Sequence, residues 1–281
     1  MREITSSSNA VLKLYRSALK EGRTREGWLA VEGPLLVEEA LNAASPESQP
    51  EGLTSTSTLR GVVATPAAAR KFAALLERVP RDAEQVSVSD RLFSSIAQTV
   101  TPQGIAALVE VQPPPLDAVL DLPDAVSVVA CGLQDPGNLG TILRTAEALR
   151  AASVICLKST VSPSNPKVVR ACGGAIFRLP IFSGVEANPL FKSMRHCGVR
   201  IVAANRESCL RLQDANLLGA VAFLIGNEAA GLSSELLSNA NVSLSIPISA
   251  KVDSLNVAIA AGIFLYEAAR QRGFRQQPKA L

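Results

Sequence analysis

Three short segments in the second half of the chain hold the residues whose types and spacing could do chemistry. The first reads Gln134-Asp135-Pro136-Gly137-Asn138-Leu139-Gly140-Thr141-Ile142-Leu143-Arg144-Thr145-Ala146. The second is Ile225-Gly226-Asn227-Glu228-Ala229-Ala230-Gly231-Leu232, and the third is Ile246-Pro247-Ile248 followed by Ser254-Leu255-Asn256-Val257-Ala258. Each falls where an apolar, strand-like run gives way to a helical pattern, the place where an α/β fold binds its ligand. Asn138 is placed to cap a helix beginning near Leu139, and Arg144 on the second turn can reach the same end of the sheet. Glu228 sits among helix-start amides that stabilise a carboxylate, and Gly226 and Gly231 permit close backbone approach to a ligand. Ser254 and Asn256 open the last helix, where Ser254 is a candidate N-cap. Taken singly each turn is a cap and a bend, whereas together they describe one site.

Composition removes several competing chemistries. The 281 residues are 47% hydrophobic and 19% charged, which describes a core-rich globular chain long enough for two domains. No apolar run approaches the roughly 20 residues of a membrane span, and the polar start lacks a signal-peptide core, so a cytoplasmic protein is expected. The five cysteines, Cys131, Cys156, Cys172, Cys197 and Cys209, are scattered without a Cys-x-x-Cys pair, which predicts buried thiols and neither a disulfide framework nor a metal site. The single histidine, His196, leaves no histidine-based catalysis. A Gly-x-x-x-x-Gly-Lys-Ser/Thr loop and a Gly-x-Gly-x-x-Gly turn are both missing, which argues against an NTPase, a nicotinamide oxidoreductase and a Rossmann-type methyltransferase. The net charge of +3 permits a nucleic-acid partner without demanding one. Basic residues gather at Lys13, Arg16, Lys20, Arg23 and Arg25, and again at Arg270, Arg272, Arg275 and Lys279.

The elements that must position the site fall on either side of Pro113-Pro114-Pro115, three prolines that stiffen the chain as an extended spacer. This predicts an amino-terminal domain over residues 1–112, a linker over 113–122 and a second domain over 123–281. The first domain reads as a small α/β sandwich: helices at about 8–20, Pro34 to Asn42, Ala67 to Glu77 and about 90–98, with strands Trp28 to Val31, Gly61 to Ala64 and Gly104 to Val109. The Ser/Thr/Pro-rich stretch Ser45 to Ser57 is expected to be a loop. The second domain offers strands Val126 to Ala130, Ser153 to Leu157, Arg200 to Ala204, Ala220 to Ile225 and Val242 to Ile246, separated by helical patterns. That alternation predicts a mostly parallel sheet covered on both faces. The last helix, about Leu255 to Arg272, is apolar nearly all round in its first half, which predicts a core helix that also faces another subunit.

With all three turns in this order, the second domain resembles the SPOUT superfamily, specifically its SpoU (TrmH-like) RNA ribose 2′-O-methyltransferases. The resemblance covers about 150 residues and includes Ser164-Asn165-Pro166-Lys167-Val168-Val169-Arg170-Ala171. One departure is Cys172 before Gly173-Gly174, where the family pattern has serine. The first domain resembles the family's substrate-binding module, itself similar to small kink-turn-binding ribosomal proteins, through Ile4-Thr5-Ser6, Asn9, Lys13-Leu14, Val31-Glu32-Gly33 and Thr101-Pro102-Gln103-Gly104.

The resemblance implies an α/β fold with a carboxy-terminal trefoil knot, preceded by a ribosomal-protein-like RNA-binding domain. It implies S-adenosylmethionine as cofactor, held by Ala203, Ala204, Asn205, Gly226, Ile246, Leu255 and Asn256, with no metal. Asn138, Arg144, Glu228, Ser254 and Asn256 would form the catalytic, RNA-facing group. Arg144 would act as the base or as a phosphate clamp; a guanidinium, which gives up its proton poorly, suits the clamp at least as well. The implied substrate is structured RNA, ribosomal RNA first, with a homodimer formed through the methyltransferase domain. A tRNA 2′-O-methyltransferase and a catalytically silent RNA-binding protein of the same fold are the alternatives.

Overall fold

The computed structural model describes residues 1–45, 53–228 and 230–274. It divides into two compact units, one formed by Met1–Gln112 together with Ser164–Arg178, the other by Pro113–Pro163 together with Leu179 onward.

In the first unit the chain runs β1 (Arg2–Ile4), α1 (Ala10–Glu21), β2 (Leu29–Glu32), α2 (Pro34–Ala44), β3 (Thr56–Ala64), α3 (Pro66–Lys71), α4 (Ala73–Glu77), β4 (Glu84–Val88), α5 (Asp90–Ser94) and β5 (Ile105–Gln112). These strands form a mixed sheet in the order β1-β4-β3-β5-β2. Helix α1 shows how local signals fix an element. The Asn9 side chain accepts from the Val11 amide at 2.9 Å, Leu12, Tyr15, Ala18 and Leu19 supply one buried stripe, and Gly22 in the left-handed region closes the last turn.

Several elements of this unit differ from the sequence expectation: β1 and β4 have no expected counterpart, α5 ends at Ser94 instead of about 98, and two further differences have a clear physical reason. The helix expected over Ala67 to Glu77 breaks at Phe72 into α3 and α4; α4 buries no residue, and so short an Ala-rich segment lacks the packing that would hold a continuous helix. Strand β3 begins at Thr56 rather than Gly61, because Ser57 and Leu59 point inward while Thr58 and Arg60 point outward. Polar side chains on the exposed face, with a serine among the buried positions, hid that alternation. Thr56 and Ser57 thus leave the loop expected over Ser45 to Ser57, of which residues 46–52 lie outside the described residues. Ser57 Oγ donates to the Phe177 carbonyl at 2.9 Å, and Arg178 pairs with Glu39. Residues 164–178 are therefore built into the first unit.

In the remainder of the chain come α6 (Leu116–Leu120), β6 (Val126–Ala130), α7 (Pro136–Ala148), β7 (Ser153–Leu157), α8 (Pro166–Ala171, within the first unit), β8 (Ile181–Val185), α9 (Ala187–His196), β9 (Arg200–Ala204), β10 (Val221–Ile225), α10 (Ser234–Asn239), β11 (Val242–Leu244) and α11 (Val257–Gln271). Six parallel strands lie in the order β11-β9-β10-β6-β7-β8. Every residue of β6, β7 and β10 is buried, as a sheet covered on both faces requires.

Several expectations are corrected here. The stretch after the prolines is not a spacer throughout 113–122: α6 begins at Leu116 and buries Val119 and Leu120. Strand β8 was not anticipated, because it is a partly exposed edge strand carrying a serine and Gly184, with a register shift against β7. β11 ends at Leu244, two residues early, because Ser245 turns to bridge Arg211 instead.

Helix α11 buries Val257, Ala258, Ala261, Phe264, Leu265 and Ala268, packs against α7, β10 and β6, and sets the Phe264 ring edge-on to Phe223 at 5.3 Å. Its other face is open, with Ile259 54% and Tyr266 52% exposed. Of the five thiols, Cys131, Cys156 and Cys172 are buried as expected, Cys197 is half-buried, and Cys209 is exposed, so the expectation of buried thiols fails at Cys209. Burial pushes the Cys131 and Cys156 thiols up to about 12, which removes them from thiolate chemistry at neutral pH. No helix among the described residues is long and apolar enough to cross a membrane.

Candidate active site

At the carboxyl ends of β6, β10 and β9 the three turns meet. Helix α7 starts one turn earlier than the sequence suggested: Asp135 is the N-cap, accepting from the Asn138 amide at 2.7 Å, and Pro136 takes the first helical position. An Asp-Pro pair outcompetes asparagine for this start, since the carboxylate satisfies an orphan amide and proline has none to satisfy. Asn138 is therefore not a cap, and its side chain is released for other work.

That work is to join the motifs. Asn138 Nδ2 donates to Glu228 Oε1 at 3.1 Å, and Asn138 Oδ1 accepts from Asn256 Nδ2 at 2.9 Å. Asn256, rather than Ser254, caps α11, its Oδ1 accepting from the Ala258 and Ile259 amides at 2.9 and 3.3 Å. The direction of the whole line follows from chemistry. Two backbone donors fix the Asn256 oxygen, so its amide nitrogen must donate; Asn138 must then accept from it and donate onward, and the Glu228 carboxylate is the acceptor at the end.

The second turn is held by backbone. Asn227 and Gly231 exchange N–H···O bonds of 3.0 and 2.9 Å, Asn227 Nδ2 donates to the Gly132 carbonyl at 2.8 Å, and Gly231 has φ +67°. A Cβ on Gly226 would lie 2.4 Å from the Gly231 carbonyl carbon and 2.6 Å from its oxygen. Gly226 is thus a glycine because the returning strand of its own turn passes over it, and the expected close approach is to the chain itself. Gly226→Ala is expected to lose about 1–3 kcal/mol through overpacking, read as a fall of several degrees in Tm by calorimetric melting; an unchanged Tm would show that residues 231–232 can move aside.

The third turn is tied to the end of β9. Asn205 N donates to the Leu244 carbonyl at 3.0 Å, Leu212 N donates to the Ser245 carbonyl at 2.9 Å, and the Arg206 guanidinium donates to the Asp253 carbonyl.

Between these turns lies a cavity of about 490 Å³, within the range of small-molecule sites. Of the expected residues, Ala204, Asn205, Gly226, Glu228, Ser254 and Leu255 line it. Ile246 lines an adjoining apolar cavity of about 140 Å³ with Leu244, Ile248, Leu255 and Phe264. Ala203 lies fully buried in β9, paired with Leu224 and Ser243, and lines neither. Asn138 and Asn256 stand behind Glu228 rather than in the cavity wall. Arg144 is exposed on α7, outside the lining, with no hydrogen bond or ion pair to a described residue. Asp135, Asn227, Arg206 and Glu207 were not anticipated; Asp135-Pro136 is a recognisable helix start, and Arg206 and Glu207 follow directly on a predicted strand end. Among the described residues no group of His, Cys, Asp and Glu is arranged to hold a metal.

The chain and its fold have known counterparts. The model of the SpoU rRNA Methylase family matches residues 125–266, and that of the MRM3-like substrate binding domain matches residues 13–107. The chain is 32% identical over 281 residues to an uncharacterised tRNA/rRNA methyltransferase of Synechocystis, covering 98% of this chain and 96% of the relative. It is 31% identical over 273 residues to the 23S rRNA (guanosine(2553)-2′-O)-methyltransferase RlmP of Bacillus subtilis, covering 95% and 98% of the two chains. Its structure is similar to the crystal structure of an AdoMet-bound rRNA methyltransferase from Sinorhizobium meliloti, with a TM-score of 0.78, 30% identity and coverage of 96% and 97%.

Proposed function

The chain belongs to the SpoU rRNA Methylase family, and from that premise we propose that it transfers a methyl group from S-adenosylmethionine to a ribose 2′-hydroxyl of ribosomal RNA. The observation that carries the reading is the hydrogen-bonded line Glu228–Asn138–Asn256, which draws residues 118 apart in sequence to one end of the sheet beside the 490 Å³ cavity.

The residues present suit the methyl donor. The apolar cavity of Leu244, Ile246, Ile248 and Phe264 offers a surface for a purine, and Glu228 offers a carboxylate to a cation. Ala204, Asn205, Gly226, Ile246 and Leu255 would hold the donor, with Ala203 supporting them from within β9 and Asn256 from the start of α11. The donor supplies an electrophilic methyl on a sulfonium.

The chain's own part is positioning and charge. Transfer needs the 2′-oxygen in line at about 3–3.5 Å, so fixed partners contribute much of the rate. Asn138 fixes one oxygen of Glu228 and leaves Oε2 for the ligand, while Asn256 fixes Asn138. Ser254, exposed at the cavity rim, presents its hydroxyl to the substrate. Arg144 clamps an RNA phosphate and stabilises the developing alkoxide charge, a role suited to a planar guanidinium with five N–H donors.

Further features of the family are part of the same reading. The crossing of residues 205–216 with 245–256 serves as the trefoil knot; the bonds from Leu212 N to Ser245 O and from Gln271 Nε2 to Ala215 O support it. The exposed Ile259 and Tyr266 on α11 support a homodimer through this domain. The first unit, with its basic α1, serves as a ribosomal-protein-like RNA-binding module, and a ribosomal RNA substrate places the enzyme in the cytoplasm.

Mapping ribose methylation across total RNA with and without the gene tests the reading. One ribosomal RNA nucleotide is expected to lose its 2′-O-methyl group. Loss confined to a tRNA, or no loss with the RNA still bound, would favour the two alternatives instead.

A further inference from the structure

Two charged side chains at the cavity have no part in the function just described. Arg206 and Glu207 lie two and three residues beyond the end of β9, and both line the 490 Å³ cavity; Arg206 also lines the adjoining apolar one. The ionised groups among the described lining residues are Arg206, Glu207 and Glu228, one cation and two carboxylates. The methyl donor carries the inverse set: one carboxylate and two cations, an ammonium and a sulfonium.

We propose that Arg206 and Glu207 recognise the amino-acid head of the methyl donor, Arg206 taking its carboxylate and Glu207 its ammonium. The inference rests on the methyl-donor reading above. Glu228 is engaged with Asn138 on the side where the three motifs meet, so the remaining pair is available to the head group. The Arg206 guanidinium spends one donor on the Asp253 carbonyl. That bond anchors the side chain to the loop before α11 and leaves four N–H groups in the planar fork that matches a carboxylate. The same charge pattern explains how the site would release its product. Loss of the methyl group removes the sulfonium charge, so two carboxylates then face one cation.

The test is calorimetric titration of the full chain with S-adenosylmethionine and with its decarboxylated analogue, which keeps the ammonium and sulfonium. Wild type is expected to bind the complete donor about 10- to 100-fold more tightly, the range for a charge-assisted hydrogen-bonded pair. Arg206→Met should abolish that preference and bind both ligands as wild type binds the decarboxylated one, and Arg206→Lys should restore part of it. Glu207→Gln should weaken both ligands by the same factor, since both carry the ammonium. Retention of the preference by Arg206→Met, or equal loss for both ligands, would overturn the assignment and leave Arg206 as a loop anchor. Failure of wild type to bind either ligand would overturn the methyl-donor reading itself.

Discussion

Arg144→Ala is expected to lower methyl transfer by about 10²- to 10³-fold, the usual effect of removing one preorganised group that meets charge developing in the transition state, while leaving donor binding intact. Arg144 stands exposed on α7, outside the cavity lining, and none of the described residues engages it. Its removal therefore disturbs no packing and leaves the donor's surroundings unchanged. Calorimetry with S-adenosylmethionine and transfer of a tritiated methyl to RNA read the two effects separately. Near-normal turnover would remove Arg144 from the reaction, and lost donor binding would move it to the cofactor side. Lysine at this position separates clamp from general charge: it keeps the cation but not the planar two-point grip on a phosphate, so a clamp predicts poor rescue.

For Asn256→Ala the expected result is different: both donor binding and methyl transfer are lost, and the protein is destabilised. Its side chain makes three hydrogen bonds, two to the Ala258 and Ile259 amides and one to Asn138. Loss of the cap costs about 1 kcal/mol, a Tm decrease of roughly 2–4 °C for a domain of this size. Loss of the third bond unhitches Asn138, and with it Glu228. Asn256→Asp divides the two consequences. Aspartate still accepts from the helix amides, so Tm should recover, but it cannot donate to Asn138 and sets a carboxylate against its oxygen, so turnover should stay low. Full turnover in Asn256→Asp would show that the line between the three motifs has no catalytic role.

Much of the catalytic unit was legible because its signals are local. β6, β7 and β9 have the expected limits, since a fully buried parallel strand is a short apolar run bounded by turn residues. β8 lacks this signature, because it is an edge strand with a glycine and a serine and carries no such run. The beginning of α7 was misplaced by three residues because two capping signals, Asp135 and Asn138, compete within one turn, and only the fold shows that Asn138 is needed elsewhere. Arg206 and Glu207 carry no local signal, because charged residues after a strand are ordinary, and their place at the cavity depends on how the loop before α11 returns to them.

By itself, the sequence determined the alternation of elements, the parallel sheet, the three motifs and their common end of that sheet. Those follow from propensity, capping and burial periodicity, forces that act over a few neighbouring residues. Only the tertiary structure decided that Asn138 links Glu228 to Asn256, that Gly226 is small because Gly231 crosses it, and that residues 164–178 belong to the first unit. Each of these is a contact between residues distant in sequence or across a turn's own backbone. The links between the motifs exist because the parallel order β11-β9-β10-β6 brings the loops after β11, β10 and β6 to one end of the sheet, and no local signal encodes that order.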